Sequence, residues 1–130
     1  MYSSGLTLGL VAILNQNPFF EMASKRKNNM AVKIVIKRQF KKEAAQKAFE
    51  LINNFRREAM GRKGYISGET WVNHYDPCRI AVVSTWQSVE DWIHWEESDQ
   101  RTHNEARLEG LLQTPAKFEI YDLGVFPQGP

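Results

Sequence analysis

A change in hydrophobic period near residue 41 most constrains the fold of this chain. Residues 32–40, VKIVIKRQF, alternate apolar and polar side chains and are rich in β-branched residues, which predicts a strand. From Lys41 onward, apolar residues recur at three- and four-residue spacing, which predicts an amphipathic helix of about five turns. Its apolar stripe consists of Ala45, Ala48, Phe49, Ile52, Phe55 and Ala59. A strand followed directly by a helix therefore opens the domain.

The following residues predict two more strands, further helix and a last strand. Residues 65–75 and 79–87 are rich in β-branched and aromatic residues, and the short segment 76–78 between them predicts a hairpin. Ser88 and Ser98 are each followed by helix-forming residues and are expected to cap two helical segments, the second ending near Pro115. Residues 116–126 predict the closing strand.

The predicted order β-α-β-β-α-β defines an α+β, ferredoxin-like fold with an antiparallel sheet. Right-handed crossovers place the first and third strands at the centre of that sheet and both helical layers on one face. The strands nevertheless carry apolar residues on both faces, such as Ile80 and Val82 against Ala81 and Val83. We therefore expect a second copy of the chain to cover the other face and form a homodimer.

Composition and charge limit the classes of partner. The sequence has 17 Lys and Arg against 15 Asp and Glu, and residues 1–29 contain three of the basic residues and one of the acidic residues. The remainder is therefore electrically neutral overall, which argues against a nucleic-acid or membrane-surface partner. The apolar stretch 5–14 is about half the length of a membrane span. Because Cys78 is the only cysteine, no intrachain disulfide can form, and we expect a cytoplasmic location.

The polar, basic segment 24–30 indicates a boundary within the chain. We expect residues 1–29 to form an N-terminal extension or arm, residues 30–126 to form the domain, and residues 127–130 to form a C-terminal tail. The N-terminal part is either an upstream addition without a structural role or an arm that docks on the domain or on a partner subunit. Its apolar residues favour docking, because exposed apolar runs promote aggregation.

Four segments resemble the antibiotic biosynthesis monooxygenase (ABM) domain family. They are MAVKIVIKRQF from residue 30, GYISGETW at 64–71, STWQSVEDWIHWEES at 84–98 and LLQTPAKFEIYDL at 111–123. The resemblance implies a dimeric α+β barrel. It also implies one of several activities, since the family includes cofactor-free monooxygenases of aromatic polyketides, quinol oxygenases, haem-degrading enzymes and proteins without an assigned activity.

The haem-degrading branch matches poorly. Its pattern has an Asn near the end of the first strand, a Trp before a Ser-Asp pair, and a His about two turns beyond that pair. Trp95 matches the second feature, but Lys37 stands near the Asn position and Glu105 near the His position. His103 lies two residues earlier, about 200° around a helix, and is not aligned for the same role. We therefore expect no haem.

No sequence motif predicts a bound cofactor or metal. The chain lacks the glycine-rich nucleotide-binding motifs and the GxSxG motif of serine hydrolases. Its histidines do not have the helical spacing of a metal site, and a lone Cys78 cannot form a zinc site of the multi-cysteine type. We expect no cofactor and no metal.

The candidate site residues are aromatic and basic side chains. We expect Trp95, Trp92, Arg38 and His74 to line a pocket for a small aromatic ligand, and His103 to act as the catalytic base. A cofactor-free oxygenase must ionise a phenol or enol so that the substrate itself reduces O₂, and histidine has a suitable pKa for this step. The tryptophans can equally be core or dimer-interface residues.

These expectations leave three functions open. The first is a cofactor-independent monooxygenase acting on a small electron-rich aromatic or quinol. The second is a non-catalytic dimer that binds or senses a small molecule, and the third is a dimer with a scaffolding role. Because fold alone does not select among them, the decisive feature is whether a partly polar cavity lies beside Trp95.

Overall fold

A computed structural model describes residues 30–124 of the chain. The strands are β1 (Val32–Gln39), β2 (Tyr65–Val72), β3 (Arg79–Trp86) and β4 (Lys117–Asp122). The helices are α1 (Ala45–Ala59), α2 (Val89–Glu96) and α3 (Asp99–Glu109), and a 3-10 turn at Lys42–Ala44 precedes α1. The predicted N-terminal extension and C-terminal tail lie outside the described residues.

The four strands form one antiparallel sheet in the order β2-β3-β1-β4. Strands β1 and β3 are central, as the sequence predicts, and they pair along their full lengths from Val32 opposite Trp86 to Gln39 opposite Arg79. This confirms the ferredoxin-like α+β fold. The pleat directs Val32, Ile34, Ile36 and Arg38 of β1 to the face that carries the helices.

Two serine caps position the helices that follow β3. The Ser88 hydroxyl accepts a hydrogen bond from the Asp91 backbone N–H at 3.1 Å, and the Ser98 hydroxyl accepts one from Arg101 at 3.2 Å. Both caps satisfy backbone donors that the first turn of a helix leaves unpaired. They confirm the predicted helix starts and divide the region into two short helices.

The end of β2 differs from the sequence-based expectation. Strand β2 ends at Val72 rather than near residue 75, because the Asn73 side chain accepts hydrogen bonds from the backbone N–H groups of Tyr75 and Asp76. This side-chain turn competes with strand pairing. Gly64 has a positive φ of 86° and lies in the short connection between α1 and β2.

The core lies between the sheet and the three helices. One apolar cluster surrounds Trp86, Trp92 and Trp95, and another surrounds Phe40, Ile52 and Leu108. The opposite side of the sheet, which we call the open face, carries the alternate residues of every strand. It is mixed rather than purely apolar: Val35, Trp71, Val83 and Tyr121 lie among Lys33, Lys37, Glu69 and Glu119.

Candidate functional site

A cavity of about 70 Å³ lies between the sheet and the helices, directly beside Trp95. Residues from β1, β2, β3 and all three helices line it, so that its shape depends on the whole fold. The apolar part of the wall consists of Ile36, Ile52, Phe55, Ala59, Val82, Trp86, Trp92, Trp95 and Leu108. This volume holds about five water molecules and is well below the roughly 300–1,000 Å³ of pockets for drug-sized ligands.

Three tryptophans form the aromatic wall. The Trp86 indole N–H donates a hydrogen bond to the Ser84 hydroxyl at 2.9 Å, and its ring meets Trp92 edge to face at 5.9 Å between centroids. Trp92 and Trp95 are three residues apart on α2 and therefore share one face of that helix. All three side chains are at least 95% buried. The wall is accordingly rigid and apolar.

A buried ionic cluster forms the polar part of the cavity. The Arg38 guanidinium donates a hydrogen bond to the Glu105 carboxylate, and an Nη atom of Arg101 lies 3.7 Å from the same Glu105 oxygen. Arg38 comes from β1, whereas Arg101 and Glu105 are one turn apart on α3. The guanidinium of Arg101 also lies 5.4 Å from the centre of the Trp92 ring, an attractive cation–π geometry.

Further polar side chains complete the cavity wall. The Asn104 amide donates a hydrogen bond to Glu58 at 2.6 Å, and the Arg56 guanidinium donates one to the Thr70 hydroxyl. Gly68 permits a close approach of Tyr65, because a Cβ atom at this position would lie 2.3 Å from the Tyr65 hydroxyl oxygen. The β2 strand thereby holds a phenol group at the cavity wall.

Burial shifts the pKa values of groups in and near this cluster. Desolvation lowers the pKa of Arg38, and the neighbouring positive charge of Arg101 lowers it further, while Glu105 opposes the change. Desolvation raises the pKa of Glu96 to about 7, although Arg101 favours its ionised form. Glu96 is 1% exposed and lies outside the cavity lining, in the last turn of α2. The interior therefore contains both closely spaced cations and an easily protonated carboxylate.

The structure brings three of the five predicted site residues together. Trp92, Trp95 and Arg38 line the cavity, whereas His74 and His103 do not. His74 is exposed in the loop after β2, where it contacts Tyr75. His103 is exposed on α3, because the buried side of that helix is set by Arg101, Glu105 and Leu108. The position of His103 does not support the role of catalytic base that the sequence suggested.

Three further residues line the cavity although the sequence did not single them out. They are Arg101, Asn104 and Glu105. Leu108 gave the signal that could have found them, because residues three, four and seven positions before a buried leucine share its helix face. The family resemblance gave a second signal, since Glu105 stands at the position where the haem-degrading pattern has its histidine. Position on the helix was thus more informative than the chemical type of the side chain.

Within residues 30–124, no group of three His, Cys, Asp or Glu side chains is arranged to hold a metal ion. No helix in the same range combines the length and the apolar character that a membrane crossing requires.

Comparison with known proteins identifies the class of fold. No protein-family model matches the chain, and no curated protein matches it in sequence. Among solved structures, a conserved protein from Methanosarcina mazei Go1 is 20% identical with a TM-score of 0.67, and the match covers 75% of this chain and 96% of that one. A Nitrosomonas europaea protein provisionally named an antibiotic biosynthesis monooxygenase is 15% identical with a TM-score of 0.69, covering 78% and 96%.

A third solved structure has a described activity. SnoaB, a cofactor-independent oxygenase from Streptomyces nogalater, is 8% identical with a TM-score of 0.66, and the match covers 77% of this chain and 96% of SnoaB. The chain therefore has the ferredoxin-like α+β fold of proteins named antibiotic biosynthesis monooxygenases. The resemblance inferred from the sequence is confirmed at the level of fold.

Proposed function

We propose that the chain is a cofactor-independent monooxygenase that acts on a small electron-rich aromatic such as a phenol or quinol. The observation that carries this proposal is the partly polar cavity beside Trp95, with tryptophan walls and a buried cluster of charged groups at one part of its surface. Such walls suit a planar ring, and convergent polar groups can fix its orientation. The described activity of SnoaB, which shares the fold, agrees with this assignment.

The reaction requires a substrate that gives electrons to O₂ directly. For a phenol, insertion of one oxygen atom into a ring C–H bond and loss of two further hydrogens yields a quinone and one water, so that the substrate supplies all four electrons. The first requirement is ionisation of the phenol. Positive charge from Arg38 lowers the pKa of a bound phenol, and Glu105, the lining carboxylate that pairs with Arg38, is the group that we assign to accept its proton.

The same charges favour the later steps. Electron transfer to O₂ produces superoxide, whose negative charge a fixed guanidinium stabilises more effectively in a water-poor cavity than in solution. This role does not require a histidine in the cavity. A cavity of about 70 Å³ has no room for multi-ring polyketides, so a single ring is the largest substrate that we propose for this site.

We also propose that the chain acts as a homodimer through the open face of its sheet. Trp71 and Tyr121 lie on this face with about half of each side chain exposed. Lys33 and Lys37 balance Glu69 and Glu119 on the same face, so a second copy related by two-fold symmetry can pair opposite charges.

Because Cys78 is the only cysteine, we place the protein in a reducing cytoplasm.

Oxygen uptake with purified full-length protein tests the enzymatic proposal. We expect consumption of O₂ with one-ring phenols or quinols in the absence of added flavin, metal or haem. Trp95→Ala should reduce the rate by roughly 100-fold, because misplacement of a substrate by about 1 Å can have that effect. His103→Ala provides a control on α3 and should retain activity, since its side chain faces solvent.

A non-catalytic ligand-binding dimer is the second candidate. No histidine is among the residues that line the cavity within 30–124, and this observation favours binding without acid-base catalysis. Binding of small phenols without oxygen uptake across a broad panel would support this function and contradict the enzymatic one. A large loss of activity in His103→Ala would contradict the assignment of the cavity charges as the ionising groups.

A further inference from the structure

The cavity has an excess of positive charge. Its lining includes three arginines, Arg38, Arg56 and Arg101, and one carboxylate, Glu105. The formal charge of the lining residues is therefore plus two. Arg38 and Arg101 are each 5% exposed, so bulk water does not screen them effectively.

The same arginines retain hydrogen-bonding capacity. The Nε atoms of Arg38 and Arg56 and both Nη atoms of Arg101 are buried without a hydrogen-bond acceptor among the described residues. Unpaired buried donors are costly, and native proteins pair the great majority of them. All four nitrogens belong to residues that line one cavity, so an acceptor bound there can satisfy them, whereas the Glu96 oxygens, also without partners, lie outside its lining.

We propose that the natural ligand of the cavity carries a carboxylate, held by Arg101, on a single aromatic ring that packs against the tryptophan wall. Both Nη atoms of Arg101 need acceptors, and the planar guanidinium matches the two oxygens of a carboxylate. A ligand charge of minus one reduces the excess positive charge of the lining. The inference rests on the proposed function in taking this cavity as the substrate site, and it narrows the substrate to a hydroxylated aromatic acid.

The electrostatics of the charged cluster support this ligand. Burial is the main cause that lowers the pKa of Arg38; Glu105 opposes this change, and the nearby positive charge of Arg101 adds to it. Glu105 contacts both arginines, and Glu96, whose pKa is raised by burial to about 7, offsets the charge of Arg101 only when it is ionised. An additional anion beside Arg101 completes the charge balance without displacing the ion pair of Arg38 with Glu105.

Matched ligands test the proposal on the full-length wild-type protein. We will compare 4-hydroxybenzoate with 4-hydroxybenzamide, which has nearly the same shape without the charge, by calorimetry and by tryptophan fluorescence. Loss of a charge-assisted interaction should weaken binding roughly 10- to 100-fold. Equal affinities for the acid and the amide, or no binding of either, would overturn the inference.

Variants of one residue locate the carboxylate. Arg101→Gln should weaken 4-hydroxybenzoate binding by roughly the same 10- to 100-fold and leave 4-hydroxybenzamide nearly unaffected. Arg57→Gln is the matched control, because Arg57 is exposed on α1, donates a hydrogen bond to Asn54, and lies outside the cavity lining. An equal effect of Arg101→Gln on both ligands would contradict the assignment. If this variant fails to fold, the wild-type comparison of acid and amide still decides the proposal.

Oxygen uptake separates this inference from the proposed function. Preference for the acid without consumption of O₂ would leave the anion site intact and contradict the monooxygenase. Consumption of O₂ with neutral phenols at the same efficiency as with hydroxybenzoates would support the monooxygenase and contradict the carboxylate site. The two proposals therefore fail in different measurements.

Discussion

The buried carboxyl group of Glu96 allows a stability prediction that does not depend on the ligand. Its side chain is 1% exposed, and neither carboxylate oxygen has a hydrogen-bond donor among residues 30–124. Desolvation raises its pKa from 4.5 to about 7, and the charge of Arg101 only partly opposes this change. The group is therefore ionised with difficulty in the folded protein and easily in the unfolded chain.

The sign of the pH dependence follows from the direction of this shift. The folded state binds the proton more tightly, so the contribution of the neutral Glu96 to stability is complete below about pH 4.5. It is lost as the pH rises through about 7. A tenfold change in proton affinity corresponds to about 1.36 kcal/mol, and the full effect is therefore roughly 3 kcal/mol. Between pH 5 and pH 8 we expect the wild-type protein to lose most of this stabilisation, about 2 kcal/mol.

Glu96→Gln isolates this contribution because glutamine is a neutral side chain of the same shape. At pH 8 the variant should be more stable than the wild type by about 3 kcal/mol, and at pH 5 by less than about 1 kcal/mol. Urea unfolding followed by tryptophan fluorescence measures both differences. Glu50→Gln is the control, because Glu50 is exposed on α1 and is not among the groups that shift the pKa of Glu96.

Two results would contradict a destabilising effect of the ionised Glu96 carboxylate. A difference between variant and wild type that is the same at pH 5 and pH 8 would show that the carboxylate is not destabilised by burial. A less stable variant at pH 8 would show that the ionised group has favourable partners in the folded protein.

Two further predictions concern the boundaries of the domain and its assembly. Deletion of residues 1–29 should leave a folded domain with a similar melting temperature, because all the described strands and helices begin after Met30. A large loss of melting temperature, measured by circular dichroism, would contradict this boundary. Trp71→Glu should shift the protein from dimer to monomer in sedimentation, whereas Tyr75→Ala, in the loop after β2, should not. A wild-type protein that sediments as a monomer would contradict the dimer itself.

The fold was predictable because its elements carry regular patterns. Alternation in β1 places Val32, Ile34 and Ile36 on the buried face, and the structure has the same arrangement. The serine caps before α2 and α3 were equally clear from sequence. The end of β2 was not, because the side-chain turn at Asn73 competes with strand pairing over only a few residues.

The polar part of the site was harder to predict because α3 buries charged residues. Its sequence, DQRTHNEARLE, has one large apolar residue, Leu108, that is buried in the structure. A search for apolar stripes therefore passes over Arg101 and Glu105, although both share the face of Leu108. His103 lies five positions before Leu108, about 140° away around the helix, and its exposure follows from that angle. The suitability of histidine for acid-base chemistry favoured His103. The angular position on α3 instead favours Arg101 and Glu105 as cavity residues.

Stability alone does not account for the charged cluster at the centre of this domain. Taking Arg38, Arg101 and Glu105 out of water costs several kcal/mol per ion, and apolar residues of similar volume often make an equally stable or more stable core. The cluster also leaves buried donors on Arg38 and Arg101 without acceptors in the described chain. A ligand that supplies those acceptors reduces this cost when it binds. The energetic weakness of the charged core and the proposed affinity for an anionic ring thus have the same physical origin.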